Sequence, residues 1–379
     1  MNDEDENIMD KVRINFMIGL YLVSYILVFN GYAEDKETNI TNGPPKVTIG
    51  GQWFLAYLDG TLDDEKVNLF TVTRGYINFK AKLNNQFSGR ITPDVSIDQE
   101  GDGAGDLELR LKYAYMKWNL PNIVFLYKPF FEIGVVHRPW LNFEENVIGY
   151  RVEGTMFLPR NGVINSADYG VTFVSLLGGE MSKEYQKSVN KYYPGRYGSL
   201  VIGVYNGGGY NAFETNMNKP VEGRLTLRPF PDFIPGLQFS YTGAYGKGNT
   251  VHSPDWILNM GYVSWETKRF TLTASYYNGV GDFRGKAVDS LHNALDQNGY
   301  SAYGTLKFPK LNLEFIGRFD YFQRHEKPEA IDNRRYIIGA AYYFYNKSKF
   351  LIAYDRNEGP SFFGYKKTDV MKYIVEVRF

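Results

Sequence analysis

From Lys46 onward the dominant hydrophobic period is two rather than 3.6, and that alternation restricts the chain to extended structure. In residues 107–115 the odd positions are Leu107, Leu109, Leu111, Tyr113 and Tyr115, while Glu108, Arg110, Lys112 and Ala114 fill the even ones. Ile77, Phe79, Ala81 and Leu83 alternate with Asn78, Lys80 and Lys82. After Asn84-Asn85, Phe87 to Ile97 alternate with Arg90, Thr92, Asp94, Ser96 and Asp98, which reads as a hairpin of two long strands. Leu237, Phe239 and Tyr241 against Gln238, Ser240 and Thr242, and Phe270, Leu272, Ala274 and Tyr276 against Thr271, Thr273 and Ser275, repeat the pattern.

A soluble sandwich alternates too, with its apolar face turned to a shared core. Length and ring placement separate the two cases. These segments run to about 10–13 residues, against about 5–6 in ordinary sheets, and suit a tilted strand crossing a bilayer. Aromatic residues gather towards segment ends, as at Trp53 and Tyr57, Trp118, Tyr241 and Tyr245, and Tyr262 and Trp265, where an amphipathic ring suits the headgroup level. A mean hydropathy of −0.36 excludes a bundle of membrane helices. Cysteine is absent, which removes disulfide scaffolds and Cys-ligated zinc, and 42 bases against 42 acids give no basic excess for nucleic acid.

Sixteen such segments are expected, at 46–58, 67–83, 86–98, 106–119, 129–138, 167–177, 197–206, 221–229, 236–246, 255–266, 268–279, 299–308, 311–323, 333–345, 348–357 and 369–379. Connections after even-numbered segments are mostly short. Those after odd-numbered ones, 59–66, 139–166, 207–220, 280–298 and 358–368, are mostly long. The expected fold class is therefore all-β, a transmembrane antiparallel barrel with short periplasmic turns and longer extracellular loops. Residues 120–128 and 178–196 break the short-turn rule, the second clearly.

Residues 14–29 form an apolar run after Lys11 and Arg13 and before Gly31-Tyr32-Ala33, the order of a secretory leader. The competing reading, a membrane anchor, needs roughly 20 apolar residues, and this run is shorter and contains Asn15 and Ser24. We expect a leader over 1–33, with Met9 an alternative start, then a short periplasmic segment at 34–45 and the barrel at 46–379. Without residues 1–33 the chain has 40 bases and 37 acids, a net charge of +3. The last strand places Tyr373, Val375, Val377 and Phe379 on one face, a pattern expected to be read by the barrel-assembly machinery of the bacterial outer membrane.

Several stretches resemble the phosphate-selective porin O and P family: Thr73-Arg74-Gly75-Tyr76-Ile77-Asn78-Phe79 with Arg90-Ile91-Thr92; Gly134 to Pro139 followed by Glu144-Glu145; Val201 to Gly209 with Asn211; and Lys219 to Thr226. The resemblance implies a sixteen-stranded, trimeric channel. Phosphate-selective members carry ladders of Arg and Lys in the pore, whereas the lumen-facing charges here mix signs.

Sixteen strands leave a water-filled lumen, so passive permeation of small hydrophilic or anionic solutes is expected. The connection 139–166 carries Glu144, Glu145, Arg151, Glu153 and Arg160, and is expected to fold inward as a constriction. The bland alternative is a solvated surface loop. By strand parity the water-facing charges are Arg74, Lys80, Lys82, Arg90, Asp94, Asp98, Glu108, Arg110, Lys112, Glu222, Arg224, Arg228, Glu314, Arg318, Asp320, Glu376 and Arg378, to which Arg138 adds at the mouth of the loop. The excess of bases among them favours a mild anion preference.

Two other classes of function compete. An outer-membrane enzyme has only His137, His252, His292 and His325 to draw on, and none stands in a nucleophile or zinc motif. A substrate-specific channel or surface-binding barrel would use the loops at 210–219 and 282–300. Gly207-Gly208-Gly209 lacks the Lys-Ser/Thr and helix of a phosphate cradle and reads as a turn. No cofactor or metal is expected, and the lipid of the outer membrane is the expected surrounding.

Overall fold

The computed structural model describes residues 44–98, 105–326, 330–359 and 367–379. The leader expected at 1–33 and residues 34–43 of the following segment lie outside the described residues.

The alternating segments become β1 (Lys46–Leu62), β2 (Glu65–Lys82), β3 (Phe87–Ile97), β4 (Leu107–Asn119), β5 (Leu126–His137), β6 (Ala167–Leu177), β7 (Gly198–Tyr205) and β8 (Val221–Leu227). They continue as β9 (Leu237–Lys247), β10 (Asp255–Glu266), β11 (Phe270–Val280), β12 (Asp296–Phe308), β13 (Leu313–His325), β14 (Ala330–Tyr345), β15 (Ser348–Glu358) and β16 (Thr368–Arg378). Each strand pairs antiparallel with its sequence neighbours, and β1 closes on β16 with Gln52 opposite Arg378 and Leu62 opposite Thr368. A closed sheet has no edge, so every strand finds its backbone partners within the wall.

The outer surface is apolar, and the buried charges of the strands lie on the inner one. Leu107, Leu109 and Leu111 are 57%, 64% and 46% exposed, and Phe239, Leu272, Phe315, Ile338, Phe350 and Ile352 continue the band on later strands. Asp94, Asp355 and Glu376, on the opposite face, are fully buried. An apolar belt around a whole barrel far exceeds the few hundred Å² that soluble monomers tolerate, and lipid tails are the medium it fits. Rings border the belt. Phe87, Trp118, Phe131 and Phe173 form a row of touching rings across β3 to β6 near the short turns, where Trp265 also meets Phe270 edge-on and Phe344 meets Phe350. Tyr57 meets Phe70 and Tyr373, and Tyr300 meets Phe319 and Tyr321, near the long loops.

Several places add to or depart from the sequence expectation, among them Tyr262, expected at the headgroup level but buried inside the barrel against Trp140 and Phe143. The expected long loop at 59–66 is zipped into the hairpin β1–β2, whose turn is Asp63-Asp64, both at positive φ (52° and 67°), the conformation a two-residue hairpin turn demands and Asp tolerates. Tyr113 and Tyr115 leave the lipid-facing row. A bulge at Lys112, opposite Thr92 and Pro93, shifts the parity of β4, and both rings turn inward onto His137, at 4.2 and 5.5 Å between centroids. The connection between β6 and β7 is no turn at all. It carries a helix at Lys183–Ser188 and returns to the wall at Gly198, whose φ of 127° and close approach to the Thr226 carbonyl leave no space for a Cβ.

Candidate functional site: a lumen narrowed from both ends

The connection from β5 to β6 folds into the barrel. It contains α1 (Leu141–Ile148), ended by Gly149 in the left-handed conformation, a 3-10 turn at Arg151–Glu153, and α2 (Phe157–Arg160). Its apolar side chains drive this placement. Leu141, Ile148, Val152 and Met156 are buried with Phe54, Tyr76, Ile316, Ile337, Leu351 and Ile374 of the inner wall. Trp140, Phe143, Phe157 and Leu158 pack with Trp256, Leu258, Met260, Tyr262, Tyr277 and Phe322. Each large apolar side chain so covered contributes about 1.5–3 kcal/mol relative to exposure.

Polar clamps fix the loop's angle. Tyr150 donates its hydroxyl proton to Glu314 Oε2 at 2.6 Å, Arg160 Nη1 reaches Asp320 Oδ2 at 2.9 Å, and Arg318 Nη1 lies 3.4 Å from Glu153 Oε1. Lys349 Nζ donates to the Gly149 carbonyl at 3.0 Å and Arg224 Nε to the Pro139 carbonyl at 3.0 Å. Burial pushes the Glu144 carboxyl up to about 7, against the pull of Arg318 and of the Trp140 indole N–H, which donates to it at 2.8 Å. Burial and the neighbouring Arg335 and Arg318 bring the Arg160 guanidinium down to about 9. Burial likewise raises the Glu153 carboxyl, with Arg318 and Arg160 opposing.

Along the wall of β2 to β4 the basic side chains form a ladder from the long-loop end to the short-turn end. Arg110 donates to Ser96 Oγ at 2.8 Å and lies 3.4 Å from Glu108 and 4.0 Å from Asp94, which Arg74 holds at 2.7 Å. Tyr210, from the β7–β8 loop, caps this group, donating to Asp94 at 3.0 Å and accepting from Arg74 at 3.3 Å. Lys112 Nζ sits 4.6 Å from the Tyr76 ring centroid. Lower down, Arg90 donates to Asn78, Thr92 and the His137 Nε2, and its guanidinium lies 4.7 Å over Tyr113. Because arginine only donates, His137 accepts at Nε2 and donates its Nδ1 proton to Glu132 at 2.8 Å. Lys80, opposite Arg90 in the ladder of strands, is exposed.

The connection at 178–197 enters from the other end. Beyond α3 (Lys183–Ser188), Asn190 Nδ2 donates to the Asn146 carbonyl at 3.0 Å and to Glu266 Oε1 at 2.8 Å. Asn142 donates to the Tyr193 hydroxyl at 2.8 Å, and Arg224 is held between Phe143 and Tyr193, 4.2 and 4.6 Å from the two centroids. The two insertions thus meet inside the barrel.

The residues singled out from sequence separate into groups. Arg74, Lys80, Arg90, Arg110 and Lys112 share one wall, and the loop's Arg151, paired with Glu145 at 3.2 Å, sits near Arg74 and Tyr76. Glu144, Arg160 and Arg318 cluster on the opposite side. Arg138 is buried against Glu222 at 2.7 Å, and Arg224 is buried with neutral partners. Arg228 stands apart, buried under the Tyr185 ring of α3. Tyr373, Val375 and Val377 lie on the outer face of β16, and Phe379 pairs with Gly51. Sequence reasoning passed over Tyr113, Tyr115, His137 and Tyr210 as lumen residues, and over Lys117 and Lys191. The bulge turned Tyr113 and Tyr115 inward, the 178–197 connection carried in Lys191, and the β7–β8 loop carried in Tyr210; only the anomalous length of 178–196 signalled any of these.

No protein-family model matches the chain, and no curated protein matches it. Solved structures do. The outer membrane channel DcaP of Acinetobacter baumannii is 14% identical, with 89% of this chain and 99% of that one covered and a TM-score of 0.57. OmpT of Vibrio cholerae, an outer membrane protein in trimer form, is 12% identical over 89% and 99% of the two chains, with a TM-score of 0.56. An anion-selective porin from Comamonas acidovorans is 10% identical over 88% and 99%, with a TM-score of 0.55. At such identities the likeness is one of fold: a closed sixteen-stranded barrel.

Proposed function

We propose that the protein is an outer-membrane porin, a water-filled channel for passive diffusion of small hydrophilic solutes with a mild preference for anions, and not an enzyme. The observation that carries the anion preference is the ladder on one wall: Arg74, Lys80, Arg90, Arg110, Lys112 and the facing Arg151, against Asp94, Glu108 and Glu145. Positive side chains along the path attract anions and replace part of their lost hydration. The ladder also suits the resemblance to the phosphate-selective porin O and P family. Most of its members are tied to neighbours, and screening acts within roughly 8 Å at physiological salt, so the preference is mild rather than absolute.

The fold's likeness to outer membrane proteins, one of them in trimer form and one anion-selective, supports placement in the outer membrane and assembly as a homotrimer. In this reading residues 1–33 direct export, and the face of Tyr373, Val375, Val377 and Phe379 serves the assembly machinery.

The test is the reversal potential of the refolded chain in planar bilayers under a KCl gradient, with phosphate then replacing chloride. An anion-favouring potential is expected, and a cation-favouring one refutes the preference. Arg90→Gln is the informative variant, because its hydrogen-bond partners Asn78, Thr92 and His137 leave no carboxylate behind. It moves the potential towards cations while the barrel stays folded.

A further inference from the structure

The two insertions are held in the lumen by different physics. The 139–166 loop is seated by large apolar side chains, buried with Phe54, Tyr76, Trp256 and Tyr262 of the wall. The 178–197 connection is not. Between Ser182 and Tyr193 only Tyr185 is buried, and the ties that hold this segment inside the barrel are mostly polar. Asn190 donates to the Asn146 carbonyl and to Glu266, and Tyr193 accepts from Asn142 while its ring meets Phe143 edge-on at 5.5 Å. Hydrogen bonds of this kind exchange for bonds to water at little net cost. The pair Lys268–Glu184, at 3.2 Å between exposed side chains, adds little to them.

The wall where the segment lands is hydrophilic in its own right. Gln238 of β9 stands opposite Ser264 of β10, and Glu266 of β10 opposite Thr271 of β11, all of them buried on the inner face. Arg228 lies under the Tyr185 ring, 5.0 Å from its centroid. Gln238 Oε1, Ser264 Oγ, Thr271 Oγ1, Arg228 Nε and Nη1 and the Tyr185 hydroxyl are shut in without a hydrogen-bond partner among the described residues. A buried polar group that lacks a partner costs free energy, and contact with water returns it. Covering this wall is therefore opposed by the wall itself, whereas uncovering the one behind the 139–166 loop would present Trp256 and Leu258 to water.

The segment also has a pivot. Glu180 bridges to Gly195, the Met181 N–H donates to the Pro194 carbonyl at 2.7 Å and the Arg196 N–H to the Gly179 carbonyl at 3.0 Å. These bonds make a two-stranded neck that carries residues 182–193 as one unit. At its root Gly178 and Gly179 take φ of 65° and 100°. A Cβ on Gly179 would meet nothing, so the backbone angle and not crowding calls for glycine there. A few residues at the root of a rigid unit suffice to absorb the rotation of a hinge.

We propose that residues 178–197 are a hinged gate, seated in this structure, which swings at Gly178-Gly179 and Gly198 to withdraw Asn190 and Tyr193 from the lumen and open its short-turn end. The polar wall left behind becomes ordinary wet pore lining. This deepens the channel reading and rests on it for the current through the opened state, while the movement itself does not depend on conduction.

The chain has no cysteine, so a pair introduced by substitution takes spin labels at those two positions alone. Lys187→Cys on α3 and Lys310→Cys in the β12–β13 turn, both at exposed positions, report the gate as a label-to-label distance in the full chain folded in detergent. Two distance populations are expected. Asn190→Ala removes both lumen bonds of that side chain and should raise the ratio of swung-out to seated about ten-fold. The time spent in a higher-conductance level of the bilayer record should lengthen by a similar factor. Lys183→Gln, on the exposed face of α3, should alter neither. A ratio that Asn190→Ala leaves unchanged, whether one population or two is seen, overturns the proposal. A distance change without current removes the channel and leaves the hinge. Current at a single level with an unmoved distance removes the gate and leaves the channel.

Discussion

Arg160 of α2 and Asp320 of β13 stand 2.9 Å apart inside the barrel, both nearly removed from solvent, and this pair holds the far end of the inward loop. Asp320 also accepts from Ser301 Oγ at 2.6 Å and from Arg318 Nε at 2.9 Å, so one carboxylate serves two guanidinium groups. Arg318 in turn reaches Glu153 on the loop. The result is an alternating chain of charge that ties a mobile class of element to a rigid wall, and the loop's placement depends on it in a way that the wall's does not.

Asp320→Asn separates those two dependences. Removing one partner of a buried ion pair leaves uncompensated charge at a cost of about 3–5 kcal/mol. The barrel's backbone ladder is untouched, so the variant should keep the heat-dependent gel shift of a folded barrel. Its inward loop should become open to trypsin at Arg151 and Arg160, and single-channel conductance should rise. A variant with protected loop and unchanged conductance would show that apolar packing alone seats the loop.

The barrel was legible because alternation is a local property: Leu107, Leu109 and Leu111 announce their face without reference to anything distant. The contents of the lumen were not, for two physical reasons. Where the inward loop covers the wall, the inner face is apolar as well, so Trp256, Leu258, Met260 and Tyr262 of β10 or Ile337 of β14 blur the two-residue period that marks a wet interior. And the partners are far apart in sequence. Nothing near Asn190 foretells Asn146 or Glu266, nor does anything near Arg74 foretell Tyr210. The inward course of 139–166 could be expected from its length and charge. The return of 178–197 into the lumen could only be flagged as an exception to the short-turn rule, and the bulge at Lys112 left no mark at all.

Docking of the inward loop should weaken as pH rises from about 4.5 to about 7. Glu144 titrates near 7 when docked, because burial disfavours its charged form, and near 4.5 when free. The docked state therefore binds more protons than the undocked one within that window, so its stability is fully present below the lower value and declines until the upper one is passed. The separation corresponds to roughly 3 kcal/mol. Glu153, raised in the same direction, adds to the slope. Hydrogen exchange of residues 141–160, corrected for the intrinsic pH dependence, should show protection falling from about pH 4.5 to about pH 7 and level above that. Glu144→Gln should flatten most of that decline, and a slope identical to that of the unaltered chain would exclude Glu144 as its source.

Closure of the barrel should be sensitive to side-chain volume at Gly51. Phe379 exchanges both backbone hydrogen bonds with Gly51, at 3.0 and 3.2 Å, and its ring lies over the glycine so that a Cβ there would overlap it. The neighbouring pair repeats the device, the Trp53 ring covering Gly75 with a Cβ position 2.6 Å from its carbons. Aromatic cover of a cross-strand glycine pins register by shape, since a slip of one residue moves the ring to the other face. Gly51→Val expels the Phe379 ring from the seam between β1 and β16, and Phe379→Ala removes it. Both should slow the appearance of the heat-modifiable band during refolding several-fold, whereas Val377→Ala, on the same outer face but away from Gly51, should fold at the rate of the unaltered chain. Because the strand hydrogen bonds survive in all three, the effect belongs to the kinetics of closure, and Gly51→Val refolding as fast as Val377→Ala would show that the ring plays no part in choosing the register.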